Sequence, residues 1–299
     1  MSIEIDTTAA AAPGRPPVVT ANGLRRAFVM GHGRPPVVAA SDVSFRIAAG
    51  EVLGLVGESG SGKSTIARML VGLERADSGS LVIAGEDRFS PARGRTARLR
   101  RARQAQMVFQ DPYGSLDRRL TVEQTLVSAI RLHGLADRTG AKTRAAELLD
   151  RVRLSERQGG LKPHQLSGGQ RQRVAIARAL AVEPAVLVLD EAVSALDVSV
   201  QAQILDLIAE IRRESGIAAL FVSHDLAVVE EVADRVLVLY RGEVVEQGLT
   251  REVLGSPQHP YTRLLISSVP GEGWDPHQVI ARRGEFETAT AAVAETLIR

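Results

Sequence analysis

The chain has 299 residues, a formal net charge of +2, 44% apolar residues and only 3% aromatic residues. This apolar content suffices for a sizeable core, which should consist of Ala, Val, Leu and Ile, as in parallel sheets covered by helices. The near-neutral charge gives no reason to expect a nucleic acid partner, and the absence of cysteine excludes disulfides, thiolate zinc sites and cysteine-ligated iron–sulfur clusters.

The N-terminal segment predicts neither a leader nor a membrane anchor. Residues 1–17 are rich in Ala, Thr and Pro without periodicity, which is typical of a disordered tail. Glu4 and Asp6 lie where a signal peptide would carry Lys or Arg. No stretch approaches the roughly 20 consecutive apolar residues of a membrane span. We therefore expect a soluble, cytoplasmic protein.

The glycine-rich sequence GESGSGKST at residues 57–65 follows an apolar strand and precedes a helical pattern, which is the context of a phosphate-binding P-loop. Its glycines let the backbone fold around a phosphate, Lys63 supplies a cation and Ser64 offers a hydroxyl to Mg²⁺. The alternative, a glycine-rich turn with an accidental lysine, does not explain these flanking elements. The predicted residues for binding a nucleoside triphosphate are Gly57, Glu58, Ser59, Gly60, Ser61, Gly62, Lys63, Ser64 and Thr65.

Strand and helix patterns alternate around this loop. Strands are predicted at residues 18–20, 43–47, 53–56, 81–83, 106–109, 185–190, 219–223, 235–240 and 243–246, the last two as a hairpin. Helices are predicted at residues 122–133, 143–152, 171–181, 200–213 and 226–233. Residues 111–170 lack strand signals, so a helical insertion interrupts an α/β core. Its apolar helix faces, including Leu126, Ile130 and Leu132, are expected to pack internally.

An arginine-rich segment lies at residues 88–103, which contain seven arginines and no acidic residue. We interpret it as a solvated loop and helix. The alternative is a patch that binds phosphate or lipid.

Two carboxylates, Asp190 and Glu191, end the apolar strand predicted at residues 185–190. Beside a P-loop, the first carboxylate is placed to complete the shell of Mg²⁺. Because side chains alternate along a strand, Glu191 is expected to point the other way, toward the γ-phosphate, where it can polarise an attacking water.

A second anion site is indicated by the sequence LSGGQ, residues 166–170, directly before the helix predicted at residues 171–181. A serine at a helix start is ordinarily an N-cap, but the glycines after it expose the helix N-terminus. This pattern resembles the signature of ATP-binding cassette (ABC) ATPases. The resemblance extends, in the family's order, through Gln110 (the Q-loop glutamine), the SALD sequence that ends at Asp197 (the D-loop) and His224 (the switch histidine).

The resemblance implies an α/β fold of known layout. A P-loop NTPase (RecA-like) core would carry an antiparallel β subdomain, a helical subdomain at about residues 111–170 and a short C-terminal extension. Two cassettes would form a head-to-tail dimer, with ATP and Mg²⁺ clamped between the P-loop of one and the signature of the other. Hydrolysis would remove the γ-phosphate that joins the two surfaces.

The resemblance also assigns site residues. The catalytic set would be Glu191, His224 and Gln110, and the Mg²⁺ ligands would be Ser64, Gln110 and Asp190. The residues that contact ATP from the second cassette would be Ser167, Gly168, Gly169, Gln170 and Asp197. Phe28 would be the aromatic that stacks on adenine. One departure is Ala192, where the family usually has proline; it should soften the loop without removing a catalytic group.

Three classes of ABC protein differ in layout. A chromosome-maintenance or DNA-repair ATPase would carry a long coiled coil or zinc modules between the P-loop and the signature, whereas here that interval is only residues 57–166 and cysteine is absent. A translation-associated ATPase would normally hold two cassettes, and this chain holds one. A transport ATPase is therefore the best match.

The C-terminal sequence SPQHPYT, residues 256–262, heads a short helix that carries Leu264 and Leu265. Its simplest role is a capping helix docked by its apolar face. HPYT, together with residues 108–116 and 164–180, nevertheless resembles the oligopeptide/dipeptide (and nickel) importer ATPases. Residues 18–255 would then be the ATPase domain and residues 256–299 an extension of the importer type.

This resemblance implies a set of partners. They are an identical or paralogous ATPase subunit, two integral membrane permease subunits and, indirectly, an extracytoplasmic solute-binding protein. The chain would lie at the cytoplasmic face of the membrane, with peptides as the expected cargo. The alternative is an ABC ATPase for nickel, another small solute or export, because cargo is chosen by subunits outside this chain.

Overall fold

The computed structural model describes residues 16–31 and 35–268, together with residues 280, 282, 284 and 286. Most of the predicted disordered tail, residues 1–17, lies outside this part of the chain, and Pro17 already belongs to the first strand. The predicted C-terminal extension, residues 256–299, is described through residue 268 and at the four later positions.

An antiparallel sheet forms the first layer of the fold. Its strands are β1 (Pro17–Phe28), β2 (Val37–Ala48), β4 (Ser78–Ile83) and β5 (Glu86–Asp87), in the order β2-β1-β4-β5. β1 and β2 have 12 residues each and are much longer than the predicted strands at residues 18–20 and 43–47. Register shifts interrupt the β1–β2 pairing at several points. Such bulges break the alternation of apolar and polar residues from which a strand is predicted.

A second, mainly parallel sheet forms the core. Its strands are β3 (Val52–Val56), β6 (Ala105–Val108), β7 (Val186–Asp190), β8 (Ala218–Val222), β9 (Arg235–Tyr240) and β10 (Glu243–Leu249), in the order β10-β9-β3-β8-β7-β6. β10 pairs antiparallel with β9, as the predicted hairpin requires, and the other pairs are parallel. The carboxyl ends of the parallel strands meet at one edge, which gathers the loops that follow them.

Helices cover both faces of this core sheet. α1 (Lys63–Val71) lies between the two sheets, and its Ile66, Met69 and Leu70 join an apolar cluster with both. The other helices are α2 (Gly94–Gln104), α3 (Pro112–Ser115), α4 (Val122–Leu132), α5 (Arg138–Arg151), α6 (Glu156–Gly159), α7 (Gly168–Leu180), α8 (Val198–Ser215), α9 (Leu226–Val232), α10 (Thr250–Gly255) and α11 (Pro260–Ser267). Within the described part of the chain, none combines the length and the hydropathy of a membrane span.

The insertion at residues 111–170 is helical, as predicted, and consists of α3 to α6 with a 3₁₀ turn at Pro163–Gln165. Leu126 and Ile130 are fully buried, which confirms that they pack internally. The same expectation for Leu132 was wrong, because this side chain is 52% exposed. Two residues beyond Ile130, it lies about 200° around the helix and so on the opposite face from the buried stripe.

The arginine-rich segment contains α2, which has no buried residue, as a solvated helix should. Its arginines pair within the molecule: Arg100 and Arg101 both reach Glu86, and Arg103 Nη2 lies 2.8 Å from Glu183 Oε2. Hydrogen bonds from Arg100 and Arg101 lower the pKa of Glu86 to about 2. These contacts fit the interpretation of residues 88–103 as a solvated loop and helix.

Candidate functional site

The P-loop connects β3 to α1, and two of its glycines are required by neighbouring backbone. A Cβ at Gly57 would lie 2.1 Å from the carbonyl oxygen of Leu239, and a Cβ at Gly62 would lie 1.9 Å from that of Ala39. Both glycines have positive φ, 149° and 108°. The loop therefore needs these glycines for its own packing as well as for the approach of a phosphate.

Lys63 lies inside the curve of the loop. Its Nζ donates to the carbonyl oxygens of Gly57 at 2.7 Å and Glu58 at 2.8 Å. Burial lowers the pKa of Lys63, and the negative charges of Glu191, Asp190 and Glu58 oppose this shift. The loop carbonyls thus hold the cationic Lys63 at the amino end of α1. The lysine charge and the helix dipole both favour binding of an anion there.

A cleft of about 300 Å³ opens in front of the loop. Its lining residues are Phe28, Ala39, Ser59, Gly60, Gly62, Lys63, Ser64, Thr65 and Glu191. Ser61 is buried beside it, and its Oγ has no hydrogen-bond partner among the described residues. A cleft with a buried lysine and an orphaned hydroxyl fits a phosphate group. Phe28 lines the same cleft, and its contact with adenine stays a prediction.

Ser64 and Asp190 meet at the carboxyl end of β7. Ser64 Oγ donates to Asp190 Oδ1 at 3.2 Å. Burial raises the pKa of Asp190, and the hydrogen bond from Ser64 opposes this shift. A hydroxyl and a carboxylate are the oxygen ligands that Mg²⁺ prefers, so this pair fits the predicted metal. Gln110, the third predicted ligand, follows β6 at the same edge of the sheet, but it does not line the cleft.

Glu191 is oriented toward the cleft by a backbone conformation other than the predicted one. β7 ends at Asp190, and Glu191 lies beyond it with a φ of 49°. Its amide donates to the carbonyl oxygen of Val222 at 3.0 Å, which fixes this left-handed turn. The prediction that strand alternation turns Glu191 toward the phosphate was therefore wrong in its cause, although Glu191 lines the cleft.

His224 follows β8 and faces Glu191. Its Nδ1 lies 3.3 Å from Glu191 Oε1, and its side chain is 60% exposed. The structure thus brings an imidazole and a carboxylate together at the mouth of the cleft. These are groups that can accept a proton from water or contact a terminal phosphate.

The signature sequence forms the start of α7. Ser167 is the N-cap: its Oγ accepts from the amide of Gln170 at 3.3 Å, and Gln170 Oε1 accepts from the amide of Ser167 at 2.9 Å. A Cβ at Gly169 would lie 2.4 Å from Val200 Cγ1, so this glycine lets α7 approach α8. A Cβ at Gly168 would make only an ordinary contact at 3.6 Å. The capping box explains Ser167 and Gln170, and the helix packing explains Gly169, whereas neither requires a glycine at position 168.

The signature and the P-loop open into different cavities. Ser167, Gly169 and Gln170 line a cleft of about 270 Å³ that contains no residue of the P-loop. Asp197 lies nearby as the N-cap of α8, where its Oδ1 accepts from the amide of Val200 at 3.0 Å. The bond from that amide contributes most to lowering the pKa of Asp197. The P-loop and the signature therefore form two separate surfaces, which one chain does not bring together.

The segment after Gln110 is tied to the signature helix. The guanidinium carbon of Arg171 lies 5.0 Å from the ring centroid of Tyr113. Arg178 Nη1 donates to the carbonyl oxygen of Ser115 at 2.5 Å. Since both arginines belong to α7, a displacement of the chain near Gln110 would be transmitted to the helix that begins at the signature.

One contact of the P-loop was not anticipated. The amide of Glu58 donates to the hydroxyl of Tyr261 in α11, at 3.0 Å. The sequence predicts a capping helix and an importer-type tail at HPYT, but no contact with the P-loop. The available signal is the tyrosine itself, whose hydroxyl needs a partner when it is buried.

Two family matches agree with this geometry. Residues 40–194 match the family described as ABC transporter, and residues 245–292 match the oligopeptide/dipeptide transporter, C-terminal region. The glutathione import ATP-binding protein GsiA of Escherichia coli (strain K12) is 50% identical over 234 residues, and that of Salmonella typhi is 50% identical over 232 residues. Each alignment covers 78% of this chain but 37% of the relative, so the chain spans little more than a third of these proteins.

Solved structures show the same fold. CbiO1 from Clostridium perfringens, part of the ABC transporter complex cbiONQ, is 28% identical with a TM-score of 0.69, covering 80% of this chain and 91% of that one. The dimeric ABC transporter cassette MJ0796 is 30% identical with a TM-score of 0.69, covering 78% and 99%. A post-hydrolysis dimer of MJ0796 with ADP and Pi has 29% identity, a TM-score of 0.68 and the same coverage. The predicted fold is confirmed, and the chain belongs to the ABC transporter family.

Proposed function

We propose that this chain is the ATP-hydrolysing subunit of an importer whose cargo is peptides. The observation that carries the proposal is the match of residues 245–292 to oligopeptide/dipeptide transporters, joined to the match of residues 40–194 to the ABC transporter family. The 50% identity to glutathione import ATP-binding proteins supports the same cargo class, because glutathione is a small peptide. In this proposal residues 18–255 form the ATPase domain and residues 256–299 its C-terminal extension.

The contacts at the cleft suggest a division of labour. The P-loop amides and Lys63 hold the phosphates, with Phe28 against the adenine. Ser64 and Asp190, with Gln110 from the same edge of the sheet, would hold Mg²⁺, which would neutralise phosphate charge. Glu191 accepts a proton from the attacking water, and its 3.3 Å contact with His224 keeps both groups at the mouth of the cleft.

We propose that the active form is a head-to-tail dimer. The separate cavities of the P-loop and the signature support this. ATP bound at the P-loop of one chain can be covered by a signature only if that signature belongs to a second chain. The D-loop lies beside the signature, since a Cβ at Gly168 would lie 3.6 Å from Leu196 Cδ2. The similar cassette MJ0796 is dimeric. The partner is an identical or paralogous ATPase subunit.

The remaining partners follow from the importer proposal. They are two membrane permease subunits, which place the chain at the cytoplasmic face of the membrane, and an extracytoplasmic binding protein that delivers cargo. The segment from Gln110 to Ser115 is a suitable point of coupling, because it contacts the signature helix directly. The second candidate is an ABC ATPase for nickel, another solute or export. The resemblance of HPYT extends to nickel importers, but the C-terminal family that matches is that of oligopeptide/dipeptide transporters.

The experiment is cargo uptake by the reconstituted importer. The chain is assembled in proteoliposomes with its membrane subunits and binding protein, and ATP-driven accumulation is measured in parallel for glutathione, a dipeptide, an oligopeptide and Ni²⁺. We expect uptake of at least one peptide and its loss with Lys63→Ala. Exclusive transport of Ni²⁺, or movement of peptide in the export direction only, would contradict the proposed cargo or direction.

A further inference from the structure

The C-terminal helix α11 places one tyrosine inside the nucleotide-binding half of the molecule. Tyr261 is completely buried, and its hydroxyl accepts the hydrogen bond of the Glu58 amide at 3.0 Å. Glu58 belongs to the P-loop, and 203 positions separate the two residues in the chain. A segment that follows the cassette core thus reaches the phosphate-binding loop.

The position of this hydroxyl is fixed by packing on several sides. The Tyr261 ring lies 4.4 Å from that of Tyr240 and 5.5 Å from that of Phe286, measured between centroids. The start of α11 is also anchored, because the amide of His259 donates to Glu246 Oε2 in β10 at 3.0 Å. A buried ring held in this way presents its hydroxyl in one orientation.

The Glu58 residue is held from both sides. Its amide is bonded to Tyr261, and its carbonyl oxygen accepts from Lys63 Nζ at 2.8 Å. Farther along the loop, the carbonyl oxygen of Ser61 accepts from the amide of Gly242 at 2.8 Å. The loop is therefore bonded to neighbouring elements at Glu58 and at Ser61. Because the carbonyl oxygen of Glu58 also binds Lys63, the bond between its amide and Tyr261 helps to set the position of Lys63.

We propose that Tyr261 is a positioning residue for nucleotide binding. Its hydroxyl holds the Glu58 peptide so that the loop and Lys63 are already arranged for the phosphates before ATP arrives. Preorganisation of this kind raises affinity, because ATP need not order the loop itself. The C-terminal segment is then part of the nucleotide site, which rests on the proposal that the P-loop binds ATP.

The test compares Tyr261→Phe with Thr262→Val in the full-length chain. The first variant removes the hydroxyl that bonds Glu58. The second removes a neighbouring hydroxyl that is equally buried but has no hydrogen-bond partner in the described part of the chain. Binding of ATP and ADP is measured by calorimetry, amide exchange of Glu58 by hydrogen–deuterium exchange, and the thermal midpoint without nucleotide as a check of folding.

We expect Tyr261→Phe to weaken ATP and ADP binding by about 2- to 10-fold, the effect of one net hydrogen bond. Exchange of the Glu58 amide should accelerate, and KM for ATP should rise with kcat nearly unchanged, because ground state and transition state use the same loop. Thr262→Val should keep the wild-type affinity.

Equal affinity and equal Glu58 exchange in Tyr261→Phe and wild type would overturn the inference. So would an affinity loss of the same size in Thr262→Val, because a general loosening of α11 would then explain both. Lys63→Ala separates this inference from the proposal that the P-loop binds ATP. If Lys63→Ala binds ATP normally, the P-loop assignment itself fails, whereas a loss there with no effect at Tyr261 removes only the role of Tyr261.

Discussion

Two neighbouring carboxylates at the end of β7 have different surroundings. Asp190 is the last strand residue and is buried against the Ser64 hydroxyl, which suits a metal ligand. Glu191 lies outside the strand in a left-handed conformation that costs about 1–2 kcal/mol for a residue with a Cβ. Backbone strain of this kind persists where the surroundings hold it, here through the Val222 carbonyl, and is frequent at functional sites.

At the residue scale, Glu191→Gln should separate hydrolysis from binding. In the proposed mechanism its carboxylate acts on the water in the transition state, so the substitution should lower ATP turnover by about 10²–10⁴-fold while ATP stays bound. Turnover and nucleotide affinity are measured on the same preparation, and the ATP-closed dimer should accumulate. Lys63→Ala is the matched control, because it should weaken ATP binding by removing the cation from the loop.

A Glu191→Gln protein with weak ATP binding and normal turnover per bound nucleotide would contradict this role. Gln has nearly the same shape as Glu, and the left-handed backbone costs it a comparable free energy. A large loss of the thermal midpoint is therefore not expected, and a normal midpoint validates the comparison.

At the scale of elements, the contact between α7 and α8 depends on Gly169. Gly169→Ala would place a Cβ 2.4 Å from Val200 Cγ1, and this overpacking should destabilise the protein by about 1–3 kcal/mol. Gly168→Ala, with its Cβ 3.6 Å from Leu196 Cδ2, is the control and should change stability little. Chemical denaturation of both variants gives the two free energies of unfolding. Equal stability of the two variants would show that α7 can move away from α8 at no cost.

The same helix connects the signature to Gln110 through Tyr113 and Ser115. We expect Gln110→Ala to leave ATP binding nearly intact but to lower transport and the stimulation of hydrolysis by cargo-loaded binding protein. Both rates are measured in proteoliposomes, with Tyr113→Phe as a control that keeps the aromatic contact with Arg171. Unchanged transport per ATP in Gln110→Ala would remove this residue from the coupling path.

At the scale of the whole molecule, the two half-sites on each chain predict complementation. A Lys63→Ala chain and a Ser167→Arg chain should each be inactive, because every homodimer site then lacks one half. A mixture in equal amounts should recover about a quarter of the activity of the wild-type homodimer, since half of randomly assorted dimers are mixed and each has one of two sites intact.

ATPase activity is measured against protein concentration for the mixture and for the wild type. Activity should fall on dilution together with the dimer fraction. A monomer that hydrolyses ATP at the full rate where no dimer is detectable would rule out a shared site.

The place of His224 in the site was implied by the family resemblance. Local patterns in the sequence determined the P-loop, the alternation of strands and helices, the helical insertion and the carboxylates Asp190 and Glu191 at the end of β7. These follow from short-range rules, because hydrophobic period, glycine placement and strand order act within a few residues or through one sheet topology. The same rules misjudged the length of β1 and β2 and the exposed face of Leu132, since bulges and helix phase shift a pattern by one or two residues.

Only the tertiary structure decided the details that set the geometry of the site. The turn of Glu191 depends on the Val222 carbonyl of another strand, Gly169 is required by Val200 of the next helix, and the P-loop is held by the hydroxyl of Tyr261. Each of these contacts joins residues far apart in the chain. A sequence pattern records the propensity of a segment and its apolar face, but the partner of a single polar atom is known only when the segments are packed together.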